Sequence, residues 1–372
     1  MITANRTAVF ALLALSSGAT GALAQTAVVF DRARTERQVA TGQTLSTPLP
    51  VTDAGATVKP PKAADKLYRI HFTVAEVTGP GWTIDIVGPG NTTASVTLDQ
   101  GATDLWSGEL AKRPTAAIVR IKGPSGQPVP HVAVDRIAIQ DQRPTPQAIT
   151  PPRDDSQPID RGSPRIKTWG KSIARLQFIG EDGNGYFCTA FLVSATLMLT
   201  NNHCINTGAE MRSAIAEFDY DAAGAHVETR KFNALVAHDE TLDYSIIRLE
   251  SPTPRSPLPL KDIPLAEKKG LLVIEHPAGK PKRFSLVDCQ VRGIEMAGVG
   301  TGKTDFGHFC DTEGGSSGSP IQEVESGLVL GLHHLGFQPG DQLVVNRGVR
   351  IGLILSDLAV RAPAVRAEIQ TP

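Results

Sequence analysis

The chain has 372 residues, long enough for two or three domains. It is 41% hydrophobic and 20% charged with a formal net charge of -1, which fits ordinary globular domains and gives no reason to expect nucleic acid or an anionic membrane as partner. Its 35 glycines and 27 prolines favour short strands and tight turns over long helices.

Residues 1–24 read as a signal peptide. Arg6 gives a positive start, Ala8 to Leu15 a short apolar run, and Ala22-Leu23-Ala24 a small-x-small cleavage site before Gln25. No later stretch approaches the roughly 20 apolar residues that span a bilayer. The mature protein is therefore expected to be secreted, in the periplasm or outside the cell.

Residues 25–140 read as a cysteine-free, β-sandwich-like domain. Tyr68, Ile70, Phe72 and Val74 alternate with Arg69, His71 and Thr73, the period of a half-buried strand. Trp82, Ile84 and Ile86 repeat the pattern. Val132 and Val134 pass to Ile137 and Ile139 with a one-residue phase change, as a bulge would produce. Asn91-Thr92-Thr93 matches a glycosylation sequon. Residues 141–165 are rich in proline and charge and read as an extended linker.

From Ile166 to the C-terminus the strand signals are dense. Apolar runs at Ile173–Ile179, Tyr186–Val193 and Tyr244–Leu249 precede a proline-rich break at Ser251–Pro259. A second set follows at Leu271–Ile274, Phe284–Val291, Leu328–Leu332 and Leu343–Ile351. Two strand groups joined by such a connector predict an all-β fold of two packed antiparallel barrels. Ile351 to Val360 predicts a short terminal helix, stopped before Pro363.

Four cysteines lie in this half: Cys188, Cys204, Cys289 and Cys310. In an exported chain an even number points to two disulfides, with three connectivities open. A zinc site ranks below this, because there is neither a C-x-x-C pair nor an H-E-x-x-H helix.

Three local sequences carry chemistry. They are Leu199-Thr200-Asn201-Asn202-His203-Cys204, Leu242-Asp243-Tyr244-Ser245-Ile246-Ile247-Arg248-Leu249, and Gly314-Gly315-Ser316-Ser317-Gly318-Ser319-Pro320. A serine hydroxyl is a poor nucleophile until a base takes its proton. A histidine does so near neutral pH, and a carboxylate on its far nitrogen fixes the tautomer. Glycines beside the serine let backbone N–H groups approach a developing oxyanion, worth about 3 kcal/mol per donor. Asp239 competes with Asp243 for the carboxylate role. Gly314-x-Ser316-x-Gly318 also fits a nucleophile elbow with Ser316 attacking, but no helical pattern follows it.

In their order His, Asp, Ser, these segments resemble the chymotrypsin-like serine peptidases, most closely the bacterial glutamyl and lysyl endopeptidase branch. The resemblance runs from about Ile166 to Leu358. It includes Gly185-Tyr186-Phe187-Cys188-Thr189-Ala190-Phe191-Leu192-Val193, His276-Pro277-Ala278-Gly279-Lys280-Pro281-Lys282-Arg283 and Gly331-Leu332-His333-His334. It implies a serine endopeptidase with His203, Asp243 and Ser317 as triad and the N–H groups of Gly315 and Ser317 as oxyanion hole. Proteins or peptides are its implied substrates, and no metal or organic cofactor is implied. The expected disulfides are Cys188–Cys204 and Cys289–Cys310. At the pocket for the residue before the scissile bond, two readings stand. Asp311, six residues before Ser317, would select Arg or Lys; Thr312 with His333 would select an acidic residue, and the second is preferred. Ser316 stands where the digestive branch has an aspartate that pairs with a new N-terminus, so control by that pair is not expected. The N-terminal domain is the candidate for control. The alternative from another functional class is a catalytically silent homologue that binds peptides.

Overall fold

The computed structural model describes residues 37–52, 54–89, 93–140, 147–149, 153–299, 302–337 and 345–371. The expected leader lies outside the described residues, as do Asn91 and Thr92 of the sequon.

Six strands form a closed first barrel. Ile173–Ile179 pairs with Ile215–Phe218, then Glu228–Asp239, Tyr244–Leu249, Leu197–Thr200 and Gly185–Leu192, which returns to Ile173–Ile179. Every residue of Ile173–Ile179 and Gly185–Leu192 is buried, and alternation divides them between two cores. Ala174, Leu176, Phe178, Ala190 and Leu192 fill the barrel interior with Met198, Phe218 and Ile247. Ile173, Phe191, Leu197 and Leu199 face outward and pack on Leu272, Ile274, Leu332 and Ile354 of the other barrel and the C-terminal helix. Burying one such side chain contributes about 1.5–3 kcal/mol, so the seam between barrels is itself a core.

The second barrel runs Arg283–Ser285, Leu271–Glu275, Pro320–Glu323, Val329–Leu335, Asn346–Arg350 and Asp305–His308. Bridges Gly270–Gln290 and Val291–His308 carry the chain after Ser285 onto the last strand and close the ring. The helix Ile351–Arg361 follows. Pro363 does more than stop it: it opens a second short helix, Pro363–Glu368, from a first-turn position where its missing N–H costs nothing.

The N-terminal half is a sandwich. A four-stranded sheet of Ala56–Val58, Ala117–Lys122, Trp82–Val87 and Thr93–Leu98 faces Arg37–Pro50, His131–Gln140, Leu67–Ala75 and Asp104–Trp106. Val58, Ile70, Phe72, Ile84, Val119 and Val134 fill the space between them. The phase change after Val134 is a register shift that skips Asp135.

Two features differ from the sequence expectation. First, the halves share a sheet: Arg37–Ala40 pairs antiparallel with Gly185–Phe187, so ten strands run through both. The seam is reinforced by buried Arg69, which donates to the Ser107 and Ser213 carbonyls at 2.5 and 2.7 Å. Glu109 also meets Arg175 at 3.5 Å. Second, much of the proline-rich stretch is docked rather than extended. Gln147–Ala148 pairs with Thr312–Glu313, and Gln157–Pro158 with Arg283–Phe284. Pro164–Gly170 is a helix capped by Ser163. The cause is local: Ile159 and Ile166 are buried in the inter-barrel core, and barrel edges meet the backbone groups that an exposed linker would leave to water. Average composition hides such anchors.

Candidate active site

His203 lies in the turn after strand Leu197–Thr200, where the Cys204 and Ile205 N–H groups both meet the Asn201 carbonyl. A disulfide joins Cys204 to Cys188 in the neighbouring strand, and a second joins Cys289 to Cys310. Asp243 sits in the tight turn before Tyr244–Leu249, in the left-handed region at φ 44°, which Asp tolerates better than most residues. The two loops grip each other. Asp243 Oδ1 accepts the His203 backbone N–H at 2.9 Å, and Oδ2 meets His203 Nδ1 at 2.7 Å. The Asn201 side chain donates to the Asp243 carbonyl at 2.9 Å. An ionised carboxylate only accepts, so Nδ1 carries the proton and Nε2 is left as the basic nitrogen. Burial raises the Asp243 carboxyl, but His203 and His334 outweigh that and hold it below the usual carboxylate range. Asp239, the competing acid, is spent on structure: it accepts the Leu242 N–H at 2.7 Å and pairs with Arg361.

The serine loop is pinned by its carbonyls. That of Gly314 accepts the Ala278 N–H at 2.8 Å, and that of Gly315 the Thr189 hydroxyl at 3.0 Å. The Ser316 carbonyl accepts from Ser319 through N–H at 3.0 Å and hydroxyl at 2.6 Å. A planar trans peptide points its C=O and the next N–H in opposite directions. The Gly315 N–H is therefore turned away from Ala278, and the Ser317 N–H away from Ser319. The Ser317 carbonyl accepts the Thr189 N–H at 2.8 Å, one residue from the Cys188–Cys204 bridge. That contact sets the serine of the second barrel beside the histidine turn of the first.

Ser316 faces the other way. It is fully buried, its hydroxyl accepts the Glu313 N–H at 3.1 Å, and it lies against Glu275. Burial raises the Glu275 carboxyl well above its ordinary value. The strand Pro320–Glu323 follows the loop, whereas a nucleophile elbow needs a helix there.

The candidate pocket residues are all buried. Asp311 Oδ2 accepts the Asp155 N–H at 2.9 Å, so its carboxylate engages the docked linker. Thr312 pairs through its backbone with Ala148. His333 hangs beside the serine loop, its carbonyl taking the Gly318 N–H and its N–H meeting the Ser319 carbonyl, both at 2.9 Å. Its Nδ1 lies 3.2 Å from His308 Nε2. Burial, then the neighbouring His308, His334 and His203, push the His333 ring well below its ordinary value. Burial and the His334 charge push His308 down to about 3.

One residue that carries no role in the sequence analysis lies against Asp243. Neighbours on a strand face opposite ways, so His334 points away from the side His333 serves. Its Nδ1 lies 3.1 Å from Asp243 Oδ2 and its Nε2 2.6 Å from Asp305 Oδ2. Burial lowers this ring, but Asp305 and the bonds to both carboxylates overcome it and raise it to about 9. The only signal was two adjacent histidines on an otherwise apolar strand.

Among the described residues, one group has ligand atoms close enough to hold a metal: Cys188, His203 and Cys204. Both sulfurs are in the disulfide, so no thiolate is available.

Residues 188–332 match the family model of the trypsin-like peptidase domain. Over 190 residues the chain is 29% identical to secreted RxLR effector protein 73 of Plasmopara viticola, covering 45% of this chain and 46% of that protein. Over 168 residues it is 28% identical to the uncharacterized protein y4fB of Sinorhizobium fredii, covering 40% of this chain and 25% of that one. The chain thus spans less than half the length of these curated relatives. The active form of the Rv3671c protease from M. tuberculosis superposes with a TM-score of 0.45 at 18% identity, covering 59% of this chain and 91% of that one.

Proposed function

We propose that the trypsin-like peptidase domain of this chain is a working serine endopeptidase. The observation that carries this reading is the grip of Asp243 on both the backbone and the ring of His203, with the Ser317 loop docked alongside. Ser317 Oγ attacks the peptide carbonyl while His203 Nε2 takes its proton. The Gly315 and Ser317 N–H groups receive the oxyanion, and His203 returns the proton to the leaving amine. Water then hydrolyses the acyl-enzyme by the reverse proton path. None of these steps calls for a metal or organic cofactor. A phosphonylating reagent tests the reading directly: mass spectrometry should find Ser317 modified in the native protein and unmodified in His203→Ala. Modification of Ser316 instead would put the attacking serine one place earlier, and modification of neither serine would leave the silent peptide-binding homologue as the better account.

On this reading residues 166–372 hold the peptidase machinery, residues 25–140 form an accessory half joined by 141–165, and residues 1–24 are removed on export. The two disulfides favour an oxidising compartment, the periplasm or the outside. No helix among the described residues is long and apolar enough to cross a membrane.

For the residue before the cut we favour an acidic side chain, as in the glutamyl branch. The Asp311 carboxylate already accepts the Asp155 N–H at one oxygen, which weighs against its serving a basic side chain, so the reading rests on Thr312 and His333. A carboxylate entering beside His333 would draw a proton onto a ring that is neutral when the pocket is empty. Peptides with Glu before the cut should therefore be cleaved faster than matched Gln peptides, increasingly so as pH falls from 8 to 6. His333→Ala should remove roughly 10–100-fold of that advantage, the worth of a charge-assisted bond. A preference for Lys or Arg that disappears in Asp311→Asn would reverse the assignment.

A further inference from the structure

A buried histidine stands behind His203 and Asp243, and the mechanism above does not use it. His334 is enclosed: its side chain has no exposure, and neither has that of Asp305. Its nitrogens reach two carboxylates on different elements, Asp243 in the turn before Tyr244–Leu249 and Asp305 at the start of Asp305–His308. A neutral imidazole has one N–H and one lone pair. Between two ionised carboxylates it would turn the lone pair on one of them; only the doubly protonated ring satisfies both. The Thr304 hydroxyl donates to the other Asp305 oxygen at 2.8 Å, which fixes that carboxylate in place.

We propose that His334 is a positioning residue for the hydrolytic reaction: a fixed imidazolium, locked by Asp305, that holds the Asp243 carboxylate against His203 and offsets part of its charge. This rests on the reading of His203 and Asp243 as the working base and its orienter.

The charges make the consequence definite. The groups that interact with His334 are Asp243 and Asp305, whose carboxylates it meets, and His308 and His333, which its charge affects. His308 and His333 are neutral, so two carboxylates and one imidazolium leave a single net negative charge. That charge is met when His203 takes the serine proton. Without the cation the same pocket would hold two negative charges beside His203, and a neighbouring negative charge favours the protonated form of a base. Asp305 in turn keeps His334 charged up to about 9.

His334→Gln retains an N–H donor without the charge. The acid limb of its kcat/KM profile should move up by about one pH unit or more, as expected for losing a neighbouring buried charge. The wild-type alkaline limb should fall near pH 9 and move lower in Asp305→Asn. A merely structural role would lower activity without moving either limb. Should both variants fold poorly, ¹⁵N NMR of histidine-labelled wild-type protein gives an independent answer. His334 should show two protonated ring nitrogens at pH 7. A neutral ring there, or an unmoved acid limb in folded His334→Gln, overturns the proposal. Wild-type protein whose Ser317 resists the phosphonylating reagent would instead count against the peptidase reading itself, so the two failures are distinguishable.

Discussion

On the proposed reading, Ser317→Ala is expected to leave a folded protein whose peptidase turnover is lower by about 10⁶, with His203→Ala costing about as much, because nucleophile and base would act as one unit. The fold survives because the contacts that seat the loop are made by backbone. The Ser317 carbonyl to Thr189, the Gly314 carbonyl to Ala278 and the Gly318 N–H to the His333 carbonyl are all untouched by removing one hydroxyl. Ser316→Ala should give the opposite result. It keeps the chemistry but strips the Glu313 N–H of its buried partner, at a cost of about 1–3 kcal/mol in stability. Turnover of a generic peptide, with urea unfolding of each variant, separates the two. An active Ser317→Ala beside an inactive Ser316→Ala would mean that the attacking serine is one place earlier.

Gly318→Ala is expected to be the most damaging small substitution in the loop. Gly318 has φ +87°, and a Cβ there would stand 2.1 Å from the Thr189 carbonyl oxygen and 2.5 Å from the Thr200 hydroxyl. The first obstacle is backbone, which cannot rotate aside. The left-handed conformation costs an alanine about 1–2 kcal/mol, and overpacking adds about 1–3 kcal/mol. A loss of roughly 3 kcal/mol or more is therefore expected, with Ser317 displaced because Thr189 holds it from the same strand. Gly101→Ala provides the control. Its φ of +82° is nearly the same, but nothing lies within 4 Å of the added carbon, so only the conformational cost remains. Urea unfolding should separate the two variants by at least about 1 kcal/mol. Equal losses would show that strain, and not the approach to Thr189, governs the site.

What was legible in the sequence is what repeats or what chemistry restricts. The apolar run Ile173–Ile179 marks a strand whoever its neighbours are. Its complete burial follows from lying between two cores, which no single strand records. The order His203, Asp243, Ser317 stood out because few residue types can do the work proposed for them. The role of Ser316 did not, since two serines in a glycine loop look alike until one turns inward to Glu313. His334 and Asp305 were missed because their relation is one of facing side chains on separate strands, with nothing in spacing to announce it. The docking of residues 153–165 was hidden for a different reason. One buried isoleucine, Ile159, anchors a stretch whose composition otherwise reads as solvated.

The pairing of Arg37–Ala40 with Gly185–Phe187 has a consequence for any cut between the halves. Severing the connection would not release two independent bodies. The shared sheet, the Arg69 bond to the Ser213 carbonyl and the Glu109–Arg175 pair would still join them. What changes is the statistics of encounter. A tethered partner is present at an effective concentration on the order of millimolar, whereas a severed one is present only at its bulk concentration. A nicked molecule thus becomes a heterodimer that persists in concentrated solution and parts on dilution, exposing the edge of the strand that carries Phe187 and Cys188.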